Sequence, residues 1–396
     1  MNRLAVVALA TLFAIVPLYG TLAVLDPDRP PIPPLLPPAG AAAVGLIALA
    51  ALLVLVPIGL RVAARDGLTF TCLAPGLATV LAGLTGFDPP IGLGLGLLVT
   101  CVGISGLVIA RVADGPAIRL CIRAFLWSAL TGCALALAMM VSHRPAALYA
   151  YNNGRAVGSF LNANELSAYT LAALGVAVPL AVASRGRDRL ATVCAVVLVV
   201  TLGATFSRWG ALSAVCGLAV YALAARARLL LVAAAVVAVA GIAIDATAGA
   251  RHHNPRDAEA RTVAWRTGLT TFERFPLLGV GPIAFAKTYD ALRPPEAPGD
   301  RTAVAFDPHS LPIAFAADGG TVAVVTLAVA FTIMLRRVLA ASRGASSRAR
   351  ALALGLAAAL AALGIDSAIN TIVLIFALGL QVVPLSLAVV RTNALD

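Results

Sequence analysis

The chain alternates long apolar runs with short polar turns. The runs are Leu4–Leu25, Ala39–Leu60, Leu68–Gly86, Ile91–Ala110, Ile118–Val141, Asn164–Ala183, Leu190–Phe206, Trp209–Ala225, Leu229–Ala248, Ser310–Leu335, Ala349–Asp366 and Ile369–Val390. Each is near the length an α-helix needs to cross about 30 Å of hydrocarbon. The runs are continuous rather than alternating, which excludes a membrane β-barrel. The expected fold is an all-α polytopic membrane protein with about 12 transmembrane helices. One stretch breaks the pattern, because residues 249–309 are polar and rich in arginine. They divide the chain into helices 1–9 (residues 1–248), a large external loop with short helices (249–309) and helices 10–12 (310–396) of one integral membrane domain. No internal repeat is evident.

Composition agrees with this pattern. With 61% hydrophobic and 12% charged residues the chain is not a soluble globular domain. The net charge of +11 does not imply nucleic acid, since much of it lies in short turns where basic residues fix topology. The six cysteines all fall inside predicted spans and form no CxxC, so neither a disulfide nor a metal cluster is expected. Met1-Asn2-Arg3 before an apolar run resembles a signal peptide. The run exceeds a usual signal core and more spans follow, so an uncleaved first helix is expected.

Orientation follows from the arginines in alternate turns. One set holds seventeen, from Arg3 and Arg61 through Arg185, Arg187 and Arg189 to Arg336, Arg337 and Arg391. The other, leaving out the long loop, holds Arg29, Arg144, Arg155 and Arg208. The bias puts both termini in the cytoplasm and the loop outside, in the periplasm of a bacterium. The external arginines then run against the topology rule, and an anionic ligand is one reason for them.

Four polar constellations mark that side. In Gly154-Arg155-Ala156-Val157-Gly158-Ser159-Phe160-Leu161-Asn162-Ala163-Asn164-Glu165, either Asn162 or Asn164 caps a helix, with Glu165 in its first turn. A capped helix entry leaves Arg155 unexplained, whereas a helix N-terminus beside a guanidinium is a phosphate site. Ser207-Arg208-Trp209-Gly210 forms a very short turn. An arginine there either snorkels to the interface or lines a wet cavity that binds substrate. Arg261 and Trp265 are four residues apart and share a helix face, followed by Arg266 and by Pro276-Leu277-Leu278-Gly279-Val280-Gly281, a weak phosphate signal on its own. His309 stands where the loop re-enters the membrane, ahead of Asp318-Gly319-Gly320. A neutral histidine there is placed to act as a general base toward a hydroxyl. His252 and His253 lack a third ligand and do not make a zinc site. Asp366 and Asn370 sit one turn apart in the last spans, with no assigned role.

Together these features resemble the O-antigen ligase and O-antigen polymerase superfamily of bacterial envelope glycan enzymes. The resemblance rests on Arg155, Gly158, Phe160, Asn162 and Asn164, on Ser207, Arg208 and Gly210, on Arg261 and Trp265, on Pro276 to Gly281, and on His309, Ser310 and Asp318 to Gly320. It implies transfer of a glycan from an undecaprenyl diphosphate carrier to a lipid or glycan hydroxyl acceptor outside the cytoplasmic membrane, with no cofactor and no metal. Arg208 and Arg261 with His309 would form the catalytic group. Arg155, Asn162, Asn164, Trp265 and Arg266 would bind substrate. Asp318 stands where the family often has Glu. The moderate loop without an appended external domain favours a ligase, with a polymerase as the alternative. A transporter or flippase for an anionic lipid, from another class, predicts instead a midplane site, broken helices and repeat symmetry.

The topology is testable in a cysteine-free background. A cysteine placed at Arg301 should react with an impermeant maleimide in intact spheroplasts, and one at Arg187 only after permeabilisation. The opposite labelling would reverse the orientation.

Overall fold

The computed structural model describes residues 1–18, 36–160, 162–226, 257–293, 307–343, 345–370, 384–385, 387–389 and 391. The expected span Leu229–Ala248, most of Ile369–Val390, most of the Pro-rich turn after the first run, Arg251, Arg256, Arg301 and the His252–His253 pair lie outside them.

The described residues fold as helices α1 (Arg3–Ala14), α2 (Pro38–Val62), α3 (Gly67–Thr85), α4 (Pro89–Arg111), α5 (Gly115–Ser142), α6 (Ala146–Tyr151), α7 (Ala163–Ala183), α8 (Arg189–Ala204), α9 (Arg208–Ala224), α10 (Asp257–Arg274), α11 (Phe285–Leu292), α12 (Leu311–Ser342) and α13 (Ser347–Ser367). Seven of them, α2 to α5, α7, α12 and α13, are long and apolar enough to cross a membrane, so the protein is a multi-pass membrane protein. Helices α1, α8 and α9 are apolar but shorter. Helix α1 stops at Ala14, with Ile15 as its C-cap and a 3-10 turn at residues 16–18; residues 19–25 of that expected span lie outside the described ones.

Short polar side chains set the helix starts. The carboxylates of Asp66, Asp114 and Asp188 accept the amides of Thr69 (2.9 Å), Ala117 (3.0 Å) and Ala191 (3.1 Å) at the heads of α3, α5 and α8. The bundle then closes through small residues, as expected where lipid supplies no hydrophobic drive between helices. Along α3 and α4, Gly83 faces Gly92, Gly96 faces Val80 and Gly103 faces Cys72. Helix α13 lies against two partners, with Gly175 of α7 on its Ala359 and Gly355, and Gly217 of α9 on its Ala362 and Ala358. The largest core cluster fills the space between α1, α5, α7 and α8, where Phe13, Phe125, Tyr169 and Phe160 pack ring on ring. All six cysteines are free thiols within helices.

Helix α12 is not continuous. Gly320 has φ 62° and ψ −162°, a conformation open to glycine alone. The segment 276–281 runs into this break and pairs with it. Val280 and Gly281 donate to the carbonyls of Ala317 and Asp318 (3.0 and 2.9 Å), and Thr321 and Val322 donate to those of Pro276 and Leu277 (2.7 and 3.3 Å). A side chain at Gly320 would strike the Leu277 backbone, and one at Gly279 that of Asp318. The far side of the segment docks on the α3–α4 turn, where Phe87 donates to the carbonyl of Val280 (2.8 Å) and Phe275 packs edge-on to Phe87. Lys287 of α11 closes the contact on Asp88. The arm formed by α10, this strap and α11 is thus fastened to two separate parts of the bundle.

Two predictions follow from this packing. Gly83→Ala forces a methyl into the Gly92 backbone and should lower stability by about 1–3 kcal/mol. Gly94→Ala, which meets nothing within 4 Å, should not destabilise, as thermal unfolding of the two variants would show. The second prediction concerns pH. The Lys287 hydrogen bond, helped by the Ile91 amide, holds the Asp88 carboxyl below its ordinary value of 3.8. A group lowered in the docked state contributes fully at neutral pH and loses that contribution as pH falls through its lowered value. Amide exchange of residues 276–293 should therefore be flat from pH 7 to the ordinary carboxylate range, after rate correction, and rise only below it. Lys287→Met should raise exchange at all these pH values.

Candidate functional site

The site is built from residues 142–160, 162–163, 205–210, 257–293 and 307–310. Its base is a junction of three chain segments. Asn162 caps α7, its Oδ1 accepting the amides of Asn164 (2.9 Å) and Glu165 (3.0 Å). Asn164 then has its own side chain available to accept from Arg155 Nη2 (2.9 Å). The Nε of Arg155 donates to the carbonyl of Thr205 (2.6 Å), the C-cap of α8, where a cation meets the negative end of the helix. Ala156 adds a backbone bond to Ala204 (3.0 Å). The two asparagines expected to bind substrate therefore have separate structural tasks. Asn162 orders the helix, and Asn164 orients Arg155.

The turn at 205–210 follows directly. Ser207 caps α9 by accepting the amide of Gly210 (3.2 Å), and Phe206 takes φ 47° to make the turn. Gly210 is a glycine because its α-carbon rests on Ser167 of α7, where any side chain would collide with the hydroxyl. This close approach leaves Arg208 exposed in the first turn of α9. Arg208 stands at the head of a cleft of about 350 Å³ that opens between α7, α8, α9 and α13. Below it the lining is almost wholly apolar, including Leu171, Val178, Val199, Leu218 and Ala362.

The arm supplies the second group. Arg261, Trp265 and Gly268 share one face of α10, and Gly268 lets that face close on Pro308 and Ile313 at the head of α12. The Trp265 indole N–H reaches the carbonyl of His309 (3.4 Å). His309 has φ 51°, and its amide donates to the Asp307 carboxylate (2.6 Å). Its ring Nδ1 lies 3.6 Å from that same Asp307 oxygen, and the side chain remains 45% exposed. A carboxylate beside Nδ1 orients the ring. Arg266 is exposed on a different face of α10 and is not brought into this group.

Three features were not assigned from the sequence. Asp307 is a partner of His309, and its signal is the Asp-Pro-His spacing, which lets a short carboxylate reach back to the amide two residues on. Asp366 is fully buried at the loop-face end of α13, takes a hydrogen bond from Asn370 (3.0 Å), and lies within the electrostatic reach of Arg261. The Gly279-Val280-Gly281 segment is no phosphate cradle, since all three of its amides are bonded within the protein, to Phe275, Ala317 and Asp318. Asp318 has a matching role. Its carboxylate accepts the amide of Ile283 (3.3 Å), which holds that residue at φ 63° just ahead of α11. An acidic residue of either length serves such a contact.

The chain matches no curated protein. Its residues 167–328 match the family model described as O-Antigen ligase, a segment that contains Ser207 to Gly210, Arg261, Trp265, the strap, His309 and the break in α12. Over this segment the chain is similar to the O-antigen ligase family, in agreement with the resemblance seen in its motifs.

Proposed function

We propose that the protein is a glycosyltransferase of the ligase type. It moves a glycan from undecaprenyl diphosphate to a hydroxyl acceptor, lipid A–core or similar, on the periplasmic side of the bacterial inner membrane. The observation that carries this reading is the position of Arg208. A lipid diphosphate is an anion on a long apolar tail, and Arg208 is a cation at the head of an apolar cleft. Tail in the cleft and diphosphate at Arg208 is the arrangement that leaves neither charge nor hydrocarbon in the wrong solvent.

In this reading the chemistry is a single displacement. The acceptor oxygen attacks the anomeric carbon, and its proton passes to His309 Nε2. The bond from that carbon to the phosphate oxygen breaks, and undecaprenyl diphosphate leaves with the electron pair. Negative charge grows on the diphosphate as the bond lengthens, so fixed cations stabilise the transition state more than the ground state. Arg208 and Arg261 fill that role, with Arg155 behind them shaping the turn. Asp307 orients the ring, which then returns its proton to water. The anomeric centre inverts. The resemblance implies that no metal takes part. A transporter is less well supported. The break at Gly320 has its backbone groups bonded to the strap, so it leaves no open backbone site for a transported ion.

The test is the envelope glycan profile of a strain lacking the gene, complemented with wild type or His309→Ala. Long glycan stranded on the carrier with bare acceptor would identify a ligase. Acceptor capped by single repeat units would identify a polymerase. His309→Ala should lower transfer by roughly 100-fold or more, the usual scale for losing a general base. Full restoration by this variant would remove His309 from the mechanism.

A further inference from the structure

Among the described residues, four buried side-chain polar atoms have no protein partner: Oδ1 of Asp318 on α12, the hydroxyls of Ser167 on α7 and Ser213 on α9, and Oδ2 of Asp366 on α13. The last three lie on helices that pack together. All three residues are fully buried. The serines are unusual, because a hydroxyl inside a helix normally bonds back to a carbonyl one turn earlier. Thr170, Thr201 and Ser367 do so here, to Leu166, Val197 and Gly364.

The packing brings the three to one level. Ser167 touches Gly210, and Ser213 lies one turn along α9 on that same side. Gly217 of α9, a further turn along, meets Ala362 of α13, and Asp366 lies one turn from Ala362 toward the loop face. Moving one turn from the Gly217–Ala362 contact therefore reaches Ser213 on one helix and Asp366 on the other. Ser167 lies two turns from Gly175, and Asp366 two turns from Ala359, the pair where α7 and α13 touch. Both routes end at the same height, where α7, α9 and α13 meet.

We infer that these helices enclose a hydration site, in which ordered water bridges Ser167 Oγ, Ser213 Oγ and Asp366 Oδ2. Water fits the donor set, since it accepts from the hydroxyls and donates to the carboxylate, and a buried water typically finds about three such partners. A cation fits less well, because Arg261 already places positive charge near the carboxylate. The site gives Asp366 a fixed position opposite Arg261, which makes it a support for the arm rather than part of the chemistry. The inference does not depend on the proposed reaction.

The sign of a stability change tests it. In a dry site, replacing an unsatisfied hydroxyl by a methyl group removes a desolvated polar atom and should stabilise. In a hydrated site, the same replacement takes a partner from the water and should destabilise. Thermal unfolding of the full chain in nanodiscs is expected to show Ser167→Ala and Ser213→Ala each shifting the transition down by several degrees. The double variant should shift it by less than the sum, since both lose the same water. Unchanged or raised transitions, or strict additivity, would overturn the proposal. So would a wild-type transition that rises with sodium against choline at equal ionic strength, which would mean a bound cation. Should either variant fail to fold, a high-resolution map of the wild-type protein replaces it. Density within hydrogen-bonding distance of all three atoms is expected, and an unoccupied contact would refute the site.

Discussion

The pairing of the strap with the break in α12 is the contact on which the rest of the site depends. A helix that breaks inside a membrane leaves backbone groups without partners, and hydrocarbon offers none. Here Pro276 and Leu277 accept from one side of the break, and Val280 and Gly281 donate to the other. Each segment thus satisfies what the other exposes. Glycines at 279 and 320 are the condition for it, because the two backbones lie too close for side chains. The arm cannot detach without orphaning several groups at once, so α10 is held over the head of α12. That is where Trp265 meets His309.

The other half of the site is assembled by the same economy of polar groups. Arg155 ties the C-terminus of α8 to the first turn of α7, through Thr205 and Asn164. Ser207 and Gly210 start α9 hard against α7, which brings Arg208 to the head of the cleft. Asp366 stands on the helix that lines the cleft, within electrostatic range of Arg261. The motif residues therefore divide into two kinds. Some, such as Asn162, Gly210 and Asp318, build the frame, and a few charged groups are presented by it.

Hydropathy made most of the bundle legible. The expected spans Ala39–Leu60, Leu68–Gly86 and Ala349–Asp366 correspond to helices Pro38–Val62, Gly67–Thr85 and Ser347–Ser367, because solvent exclusion acts on every residue of a span. Of the first run, α1 (Arg3–Ala14) is helical as expected, and residues 19–25 lie outside the described ones. The polar motifs were visible as positions, yet their tasks were not. Gly-x-Gly reads as a phosphate loop or as a close backbone contact, and only the partner strand decides. Arg266 is one residue from Trp265, but one residue is a rotation of about 100° about the helix, enough to turn it outward. The link between Asp366 and Arg261 spans a separation in sequence that no local pattern reports.

The central claim is that Arg208 holds a lipid diphosphate at the head of the apolar cleft. The most direct measurement is equilibrium binding of undecaprenyl diphosphate to the purified protein in nanodiscs, for wild type, Arg208→Gln and a cleft variant, Ala214→Trp. The account predicts saturable binding to wild type, weakened about tenfold or more by the loss of one charge-assisted contact. The blocked cleft should weaken it as well. Binding that is unaffected by both variants would place the lipid elsewhere and contradict the account.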